Sequence, residues 1–528
     1  MEWTRQSSQQ PHEDESMFRR PDVVLYQRKG ALDLTMTATK HTALDQNNSL
    51  SLVLETGWNA LQKCEIHVKP ATGGLRLLTT EAKVHNSEVD FAKRPEAGAF
   101  AFGPIPSGTR VVIQFPYTVE QDVADVLAKL DIVYTTDEDE EYQFARLTNV
   151  PVALALGVNV QDVFKHQALF SRFNVTTSSM SPLRLVQSEL LDCDLFESHG
   201  GPQADDVMTI FPRQSASLLY RVSRKQGAAT SGRKSARTMY LKLHYRSLLT
   251  EAEALTLESL RQDLQSSELD EYSHPICASV AAEFKTGLQP ADLERAGLIG
   301  TITTSHIAET PWERHFQGFG RMPDSQDSIA SKLAAFIRDW QTRHPRIDVK
   351  ETSSDEPSSI LIPVEIPSIP IVHTADIRLV DSELHINQAV SAVLQLKWTR
   401  KWDTQPSQQS DLEYSYEVSA SSDTWLLGGR RKGHFVIPSD APASSTPETE
   451  AEVPLLLIPL REGWLPFPSV EIKEVAAVGA SSGAEAPCEV DFKNIGETLR
   501  VRDERSGVTV SLDASGPSGG PLVLDTQV

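Results

Sequence analysis

Alternation of apolar and polar side chains at every second residue constrains this chain more than any other feature of its sequence. Four segments show it clearly, at 50–55, 64–69, 239–246 and 414–419. Successive side chains of a strand point to opposite faces, so each segment is predicted to form an antiparallel strand with one dry face. The same spacing would not give a helix a single apolar face, and these segments therefore predict β-sheet.

The residues between the strands indicate how the sheets are built. Glycine, proline, asparagine and aspartate separate short strands, with few helical patterns between them, which is typical of sandwiches rather than βαβ units. A chain of 528 residues, 40% of them hydrophobic, is long enough for about three or four domains. The predicted fold is mainly β, with tandem immunoglobulin-like β-sandwiches and a partly helical insert. The predicted boundaries are a disordered N-terminus at 1–20, a first sandwich at 21–162, a second at 163–249, a partly helical insert or linker at 250–357, a third sandwich at 358–475, and a C-terminal tail with closing strands at 476–528.

An internal repeat relates two of the predicted sandwiches. The octapeptides LRLVQSEL at 183–190 and IRLVDSEL at 377–384 share six of eight positions. Each is followed by a second apolar strand, at 215–222 and 391–398, and then by a strand that carries tyrosine. We interpret these as equivalent strands of two related sandwiches. Coincidence between two short alternating segments is the alternative.

The first sandwich and the insert carry further local signals. VPVALALGV at 150–158 is predicted as the last strand of the first sandwich, and the acidic run 137–141 as a solvated loop. Thr250 and Glu253 are predicted to form a capping box at the start of a helix. A second helix is predicted to pack one apolar face on a sandwich, with a docking surface as the alternative. Its apolar stripe consists of Ile329, Leu333, Phe336, Ile337 and Trp340.

Net charge and cysteine use exclude several classes of function. The formal charge of −22 argues against nucleic-acid partners, because phosphate contacts need a concentrated basic surface. No C-x-x-C pair or zinc-ligand spacing occurs, so neither a metal nor a cofactor is predicted. There is no secretory signal pattern and no apolar run of about 18 residues, so we expect a cytoplasmic protein. Four residues are expected to be reduced thiols: Cys64, Cys193, Cys277 and Cys488.

Two motifs resemble catalytic or nucleotide-binding elements without the context that such elements need. Residues 479–483, Gly-Ala-Ser-Ser-Gly, match the nucleophile elbow of hydrolases, but no helix is predicted after them. Residues 227–235 approach a phosphate-binding loop, but an arginine separates glycine from lysine and a strand follows. We interpret both as loops, the second as a hairpin connection, and predict no catalytic residue. A β-rich accessory region of a hydrolase is a competing interpretation, which would require Ser481 for turnover.

A basic segment surrounds the second of these loops. Six lysine and arginine side chains fall within residues 221–237, with no acidic residue among them. Such a patch could contact an acidic protein or anionic lipid headgroups, and a solvated loop is the alternative. The six residues are Arg221, Arg224, Lys225, Arg233, Lys234 and Arg237.

The most distinctive single stretch is VPLLLIPLREGWLPFPSVEI at 453–472. Leu456 and Ile458 are predicted to face a sandwich core, while Trp464, Leu465 and Phe467 are predicted to cover its end. Two interpretations are open, a structural corner of the sandwich and an interaction element. The element consists of Gly463, Trp464, Leu465, Pro466, Phe467 and Pro468.

This stretch resembles the C-terminal region of the large TRAPP II-specific subunit family. That region has a Pro-Leu stretch, here Pro459 and Leu460, followed by a Gly-aromatic-Leu-Pro-x-Pro element, here residues 463–468. The segment GETLRVRDERSGVTVSL at 496–512 is also similar to the closing strands of the family. The resemblance covers the whole chain as the C-terminal part of a longer pattern, so a fragment or a truncated gene model is expected.

The resemblance implies a role in Golgi vesicle trafficking. The complex of this family is a tethering and guanine-nucleotide-exchange factor for Rab GTPases, and its small core subunits perform the exchange. The chain would then be a non-catalytic scaffold, cytoplasmic and peripheral at the Golgi and trans-Golgi network, with a part in endosome-to-Golgi transport. The implied partners are other TRAPP subunits, a Rab GTPase through the complex, and the Golgi membrane through a peripheral contact. The competing interpretation is a free-standing adaptor or arrestin-like cargo-binding protein.

Overall fold

The described part of the chain forms three β-sandwiches and one helical unit, each with its own hydrophobic core. Most of it is strand, as the alternation predicts, and the predicted fold class is confirmed. The computed structural model describes residues 3–5, 32–56, 60–85, 89, 91–93, 98–120, 123–137, 139–202, 207–225, 236–267, 269, 272–316, 329–349, 356–380, 383–403, 412–437, 449–475 and 486–503.

The first sandwich ends near residue 152. Its strands are β1 (Trp3–Arg5), β2 (Asp33–Ala38), β3 (His41–Ala43), β4 (Ser49–Glu55), β5 (Leu61–Pro70), β6 (Leu75–Leu77), β7 (Lys83–Val84), β8 (Phe91–Lys93), β9 (Ala99–Phe102), β10 (Arg110–Val119), β11 (Asp125–Thr136) and β12 (Glu141–Pro151). One sheet has the order β1-β12-β11-β5-β9-β8, and the other has the order β2-β4-β10-β6, with β7 beside β10. Side chains from both sheets fill the core between them.

The alternation predicted for the first sandwich is confirmed at its centre. Leu50, Leu52 and Leu54 of β4 are fully buried. They lie opposite three apolar residues of β10 in an antiparallel register, so the two strands present one continuous apolar face. In β5, Cys64 and Ile66 face the same core, and burial raises the pKa of the Cys64 thiol to about 12.

One segment of the predicted disordered N-terminus forms a strand. β1 pairs antiparallel with β12, and Trp3 lies opposite Phe144. An edge strand offers unpaired N–H and C=O groups, and an extended segment can satisfy them whatever its composition. The prediction of disorder is therefore wrong for residues 3–5, and the remainder of 1–20 lies outside the described residues.

The second sandwich starts before the predicted boundary at 162. Its first seven strands are β13 (Leu156–Phe164), β14 (Leu169–Thr177), β15 (Leu183–Leu191), β16 (Phe196–Gly200), β17 (Met208–Ile210), β18 (Ala216–Arg224) and β19 (Thr238–Ser247). β13 pairs with β14 along its whole length, so the predicted boundary cuts through a strand. The predicted strand at 150–158 is also wrong, because its first residues end β12 and its last residues begin β13. A continuous apolar run gave no sign of the break between them.

The helical insert follows β19 directly. Its helices are α1 (Leu248–Gln265), α2 (Ser273–Gly287), α3 (Pro290–Ile299), α4 (Ser305–Glu309), α5 (Trp312–His315) and α6 (Ile329–Arg343), with two short paired strands, β20 (Thr301–Thr303) and β21 (Arg346–Asp348). Trp312 and Trp340 are fully buried in a core that the insert builds from its own helices. The insert is therefore a folded helical unit rather than a linker.

Two predictions about these helices need correction. α1 begins at Leu248 after an N-cap at Ser247, so Thr250 and Glu253 lie inside the helix and form no capping box. The earlier start adds Leu248 to the buried face of the helix. In the predicted stripe of α6, Leu333, Ile337 and Trp340 are buried and the other two residues are partly buried, but the stripe packs in the core of the insert and not on a sandwich.

The second sandwich is completed only after the helical insert. β22 (Ser358–Glu365) pairs with β19, which precedes the insert in sequence. β3 of the first sandwich adds in parallel to the other side of β22 and covers this edge. The sheets have the orders β13-β14-β18-β16 and β17-β15-β19-β22-β3. The predicted start of the third sandwich at 358 is therefore wrong, because local sequence does not show that a strand returns to a distant neighbour.

The third sandwich extends into the predicted C-terminal tail. Its strands are β23 (Val372–Leu379), β24 (Leu384–His385), β25 (Val390–Thr399), β26 (Leu412–Ser419), β27 (Trp425–Gly429), β28 (Lys432–Ile437), β29 (Thr449–Pro459), β30 (Gly463–Pro466), β31 (Ser469–Glu474), β32 (Ala486–Pro487), β33 (Glu489–Phe492) and β34 (Thr498–Arg502). The sheets are β27-β29-β25-β23-β33, β28-β26-β31-β32 and a small third sheet, β24-β34-β30. Residues 504–528 lie outside the described residues.

All three sandwiches share one strand order. Each has eight common strands, in which the first, second, sixth and fourth form one sheet and the fifth, third, seventh and eighth form the other. The common strands are β2, β4, β5, β6, β9, β10, β11 and β12 in the first sandwich, β13 to β19 with β22 in the second, and β23, β25, β26, β27, β28, β29, β31 and β32 in the third. The helical insert therefore occupies the connection between the seventh and eighth strands of the second sandwich.

This shared order shows that the predicted octapeptide equivalence is wrong. LRLVQSEL lies in β15, the third common strand of its sandwich, whereas IRLVDSEL begins in β23, the first. The strands that follow them, β18 and β25, are the sixth and the second. Short alternating sequences fit any half-buried strand, so the match does not report position in the fold. The two sandwiches are related in topology, but through different strands.

Candidate interaction surfaces

A buried cluster of charges holds the helical insert on the second sandwich. Glu251 of α1 is only 3% exposed. Its carboxylate lies 3.0 Å from Arg184 Nη1 on β15 and 3.7 Å from Arg246 Nη1 on β19. Arg184 also donates a hydrogen bond to the carbonyl oxygen of Val349, at the end of the insert. The cluster thus joins both ends of the insert to two strands of the sandwich. Sequence gave no signal for it, because its members are distant in the chain.

The third sandwich inserts a tryptophan into the core of the second. Trp402, which follows β25, is fully buried there. Its ring lies 5.4 Å from the ring of Phe164, edge to face, and 5.8 Å from that of Phe196, stacked. Arg224 of β18 donates to the carbonyl oxygen of the adjacent Lys401 over 2.7 Å. These contacts fix the two sandwiches against each other.

The predicted corner element forms a short strand at the end of the third sandwich. β30 pairs with β34, and Gly463 at its start has φ of +108°, a conformation that favours glycine. Leu465 is fully buried, and the Trp425 Nε1–H donates to the carbonyl oxygen of Pro466 over 2.7 Å. Phe467 is partly buried against the core, and Pro468 is buried. These contacts are those of a structural corner.

Two predicted orientations in this region are wrong. Trp464 is 65% exposed, because its neighbour Leu465 takes the inward position in the strand. Along β29, Leu455 and Leu457 face the core, whereas Leu456 and Ile458 point to the other side of the sheet. In a run of consecutive apolar residues, the odd-numbered and the even-numbered side chains are equally apolar. Alternation therefore could not show which of the two sets faces the core.

These orientations leave apolar side chains in solvent at one end of the third sandwich. Leu426 of β27 lies opposite Ile458, and Gly428 lies opposite Leu456, on the outer face of the sheet. An added Cβ at Gly428 would lie 3.3 Å from the Leu456 Cβ, so the glycine leaves room for this leucine. We call the four exposed residues here the apolar set, which consists of Leu426 (56% exposed), Leu456 (36%), Leu460 (37%) and Trp464 (65%).

The predicted basic patch is divided between two sheets and the interior. Its segment does not form a hairpin, because β18 and β19 belong to opposite sheets. Arg237, directly before β19, is buried, and its Nη2 lies 3.3 Å from Glu365 Oε1. Arg224 and Lys225 donate to backbone carbonyl oxygens, and Arg221 is exposed. Arg233 and Lys234 lie outside the described residues, as does the loop 227–235.

Three further features of the sequence concern metal sites, membrane-spanning helices and the nucleophile-elbow match. Within the described ranges, no group of three or more histidine, cysteine or acidic side chains is arranged to hold a metal ion. No described helix is long and apolar enough to cross a membrane. The nucleophile-elbow match at 479–483, with Ser481, lies outside the described residues.

The fold and its surfaces define a class of protein: tandem immunoglobulin-like sandwiches with a helical unit docked in one of them. Three family models match consecutive parts of the chain. A domain of unknown function (DUF7077) matches 29–151, the TRS130-like four helical bundle domain matches 250–352, and the TRAPPC10 C-terminal domain matches 363–502. The matches at 250–352 and 363–502 indicate a TRAPP II-specific large subunit family. No curated protein sequence matches it.

Solved structures with similar parts are distant from this chain. A cohesin module of a Clostridium perfringens family 33 glycoside hydrolase is 12% identical, with 23% of this chain and 95% of the module covered and a TM-score of 0.19. The collagen-binding subdomain of the Enterococcus faecalis surface protein ACE is 12% identical, with 22% and 95% covered and a TM-score of 0.17. A mutant Salmonella alpha-2-macroglobulin is 9% identical, with 90% and 40% covered and a TM-score of 0.17.

Proposed function

We propose that this chain is a non-catalytic scaffold subunit of a TRAPP II-like tethering and Rab guanine-nucleotide-exchange complex in Golgi vesicle trafficking. The succession of a TRS130-like helical bundle and a TRAPPC10 C-terminal domain in one chain carries the proposal. Exchange would be performed by other subunits, and the Rab GTPase would be reached through the complex. The site of action would be the cytoplasmic side of the Golgi and trans-Golgi network, where the chain would contact the membrane peripherally and serve endosome-to-Golgi transport.

The contacts between the modules support a scaffold role. The charge cluster around Glu251 holds the insert on the second sandwich, and Trp402 holds the third sandwich on the second. β3 links the first sandwich to the second by backbone pairing. A scaffold needs such fixed relations between its modules, because partners that bind different modules must keep a defined separation. A flexible string of domains would not provide it.

The apolar set supports a protein partner at the third sandwich. Aromatic side chains such as tryptophan are enriched in the cores of protein interfaces, where single residues contribute much of the affinity. Trp464 and Leu426 are each more than half exposed in this chain. We propose that another TRAPP subunit covers them in the assembled complex.

Affinity purification of the full-length product, followed by mass spectrometry, tests the proposed function. We expect stoichiometric recovery of small TRAPP core subunits. Recovery of the chain as a monomer that captures only short linear peptides would contradict the proposal and favour a free-standing adaptor. Ser481→Ala tests the hydrolase alternative in a turnover assay, because that alternative requires the substitution to abolish turnover whereas the scaffold role predicts no turnover by either protein.

Paired variants test the apolar set within that experiment. Leu426→Ser with Trp464→Ser should weaken association with the partner subunit by about tenfold or more, since an interface tryptophan contributes on the order of 2 kcal/mol. Leu147→Ser with Val163→Ser is the matched control, because both residues are exposed and apolar but lie on the first and second sandwiches. Equal association of the two double variants would exclude the apolar set as the contact.

A further inference from the structure

A cleft of about 330 Å³ lies between the second and third sandwiches. Residues 165–168, in the turn between β13 and β14, and Arg221 of β18 form one wall. Residues of β23, β25 and β33 form the other wall. Its volume falls in the range of sites that hold small ligands, roughly 300–1,000 Å³. The cleft exists only because the two sandwiches are held together.

The charge of the cleft is opposite to that of the protein. Lys165, Arg221, Lys397 and Lys493 line it, and Asp491 is its single carboxylate. The chain as a whole carries a formal charge of −22. Four cations from four separate segments therefore converge on one concave surface of a strongly acidic protein, where they attract anions.

The single carboxylate of the cleft, Asp491, forms an ion pair with one of the four cations, Lys165. Asp491 is buried, and its Oδ1 lies 2.6 Å from the Lys165 ammonium. The pair fixes Lys165 at the wall of the cleft and leaves an excess of positive charge from the remaining residues. Lys401, whose ammonium donates to the carbonyl oxygen of Gln167 in the same wall, has a lowered pKa because of burial and the nearby charges of Arg224 and Arg221.

A buried hydroxyl in the cleft supplies an independent observation. Thr374 of β23 lines the cleft and is 2% exposed. Its Oγ1 has no hydrogen-bond partner among the described residues. Buried hydroxyl groups nearly always have a partner, so this one has an unused hydrogen bond to offer at the wall of the cleft. A hydroxyl donor beside several cations suits an oxyanion.

The cleft is also held in shape by contacts that sequence did not reveal. Trp402 fills the core of the second sandwich from the third, and Arg224 bonds the carbonyl oxygens of Lys401 and Asp403 over 2.7 and 3.4 Å. The walls are therefore positioned before any ligand arrives. Preorganisation of this kind reduces the entropic cost of binding.

We propose that this cleft binds a compact anion with several phosphate groups, such as an inositol polyphosphate or the headgroup of a phosphoinositide. Phosphate suits the site because arginine can bond two of its oxygens at once and lysine contributes a point charge. The concave shape and the small volume favour a compact anion over an extended acidic peptide. This assignment goes beyond the proposed scaffold function and does not depend on it.

Calorimetric titration of the full chain with inositol hexakisphosphate tests the proposal. We expect saturable binding that weakens as salt is added, since the contacts are ionic. Arg221→Glu with Lys493→Glu should weaken it by on the order of a hundredfold, because each removes a charged contact and adds a repulsive one. Both residues are exposed, so the fold should persist, and circular dichroism checks this.

A matched control separates a defined site from general charge. Arg314→Glu with Lys332→Glu changes the net charge by the same amount on exposed positions of the helical insert. This variant should bind like the wild-type chain. Equal weakening by both double variants, or no binding of the wild-type chain to any phosphate probe, would overturn the proposal.

Vesicles distinguish the two sources of the anion. Vesicles of phosphatidylcholine alone are compared with vesicles that also contain phosphatidylinositol bisphosphate. Cleft-dependent binding to the second kind identifies a lipid headgroup, and binding of inositol hexakisphosphate alone identifies a soluble ligand. Binding of a polyglutamate peptide that surpasses both phosphate probes would overturn the proposal in favour of an acidic protein segment.

Discussion

The second and third sandwiches share one strand order but carry different additions, which in the second sandwich occupy the connection between its seventh and eighth strands. The second accepts the folded helical insert there and holds it by charges buried around Glu251. The third adds the small sheet β24-β34-β30 and holds its end with neutral contacts, through Asn494, Trp425 and Leu465. The addition to the second sandwich is thus held by buried ion pairs, whereas the addition to the third is held by neutral hydrogen bonds and apolar packing.

Charge pairing explains how an insertion of this size can stay attached to a sandwich in one orientation. An apolar contact would serve equally in many orientations, whereas a charge buried without its partner is costly. Glu251 lies within ion-pair distance of both arginines only when α1 and the strands that carry Arg184 and Arg246 are in register. The cluster therefore makes one docked orientation of the insert much better than its alternatives. Variants in each sandwich test this difference between ionic and neutral attachment.

The largest effect is expected from Glu251→Ala. Removal of the carboxylate leaves Arg184 and Arg246 without their buried partner, and we expect the docked insert to lose about 3–5 kcal/mol of stability. Hydrogen exchange across α1 and α2, followed by mass spectrometry, measures the loss. Glu313→Ala is the control, because Glu313 pairs with Arg338 at the surface of the same insert and should cost about 0.5 kcal/mol or less. Equal exchange in the two variants would show that the insert does not depend on the cluster.

A pH-dependent effect is expected in the third sandwich. Burial lowers the pKa of His373 from 6.5 to about 4, and its ring lies against Tyr414 and Phe435. As the pH falls through this window the unfolded chain takes up a proton that the folded sandwich does not. Stability is therefore lost from about pH 6.5 downward, by roughly 3 kcal/mol at pH 4, and is unaffected above that window.

His373→Phe tests this assignment. It removes the titrating group and keeps an aromatic ring in the pocket, so exchange in β25 should lose part of its pH dependence between neutral pH and about 4. Exchange in β14 of the second sandwich is the internal reference and should change little between the two proteins. An identical pH profile of β25 in both proteins would show that His373 is not the group responsible.

A smaller effect is expected where the third sandwich holds its end by neutral hydrogen bonds. Asn494 accepts a bond from the Ile377 backbone N–H over 2.7 Å and donates to the Ile377 carbonyl oxygen over 3.3 Å. Asn494→Ala should cost about 1–3 kcal/mol, since a buried backbone group loses its partner. Ile495→Ala, at the next and 76% exposed position, should cost less than about 0.5 kcal/mol in the same thermal unfolding experiment. The reverse order of these two costs would contradict the assigned contacts.

A feature of this fold could be predicted from the sequence when the residues that form it are close together in the chain. The buried faces of β5 and β26 follow from alternation, because Cys64, Ile66, Tyr414 and Tyr416 are separated by polar residues. The partner of β22 is β19, across the whole helical insert, and no local pattern contains that information. The corner at 463–468 could be found because glycine and proline mark it. The cleft could not, since its cations come from four separate segments.

The smallest effect on stability is expected at Trp464, and it separates the two interpretations of the corner. Its side chain is 65% exposed, whereas Leu465 beside it is fully buried. Trp464→Ser should therefore change the stability of the third sandwich by no more than about 0.5 kcal/mol, while Leu465→Ala should cost about 2–5 kcal/mol. Thermal unfolding measures both. A structural corner alone would explain Leu465 but gives no reason for an exposed tryptophan, so an unchanged melting temperature with impaired assembly in Trp464→Ser would identify this residue as a contact for a partner. A large loss of stability in Trp464→Ser would instead show that the residue serves the sandwich itself.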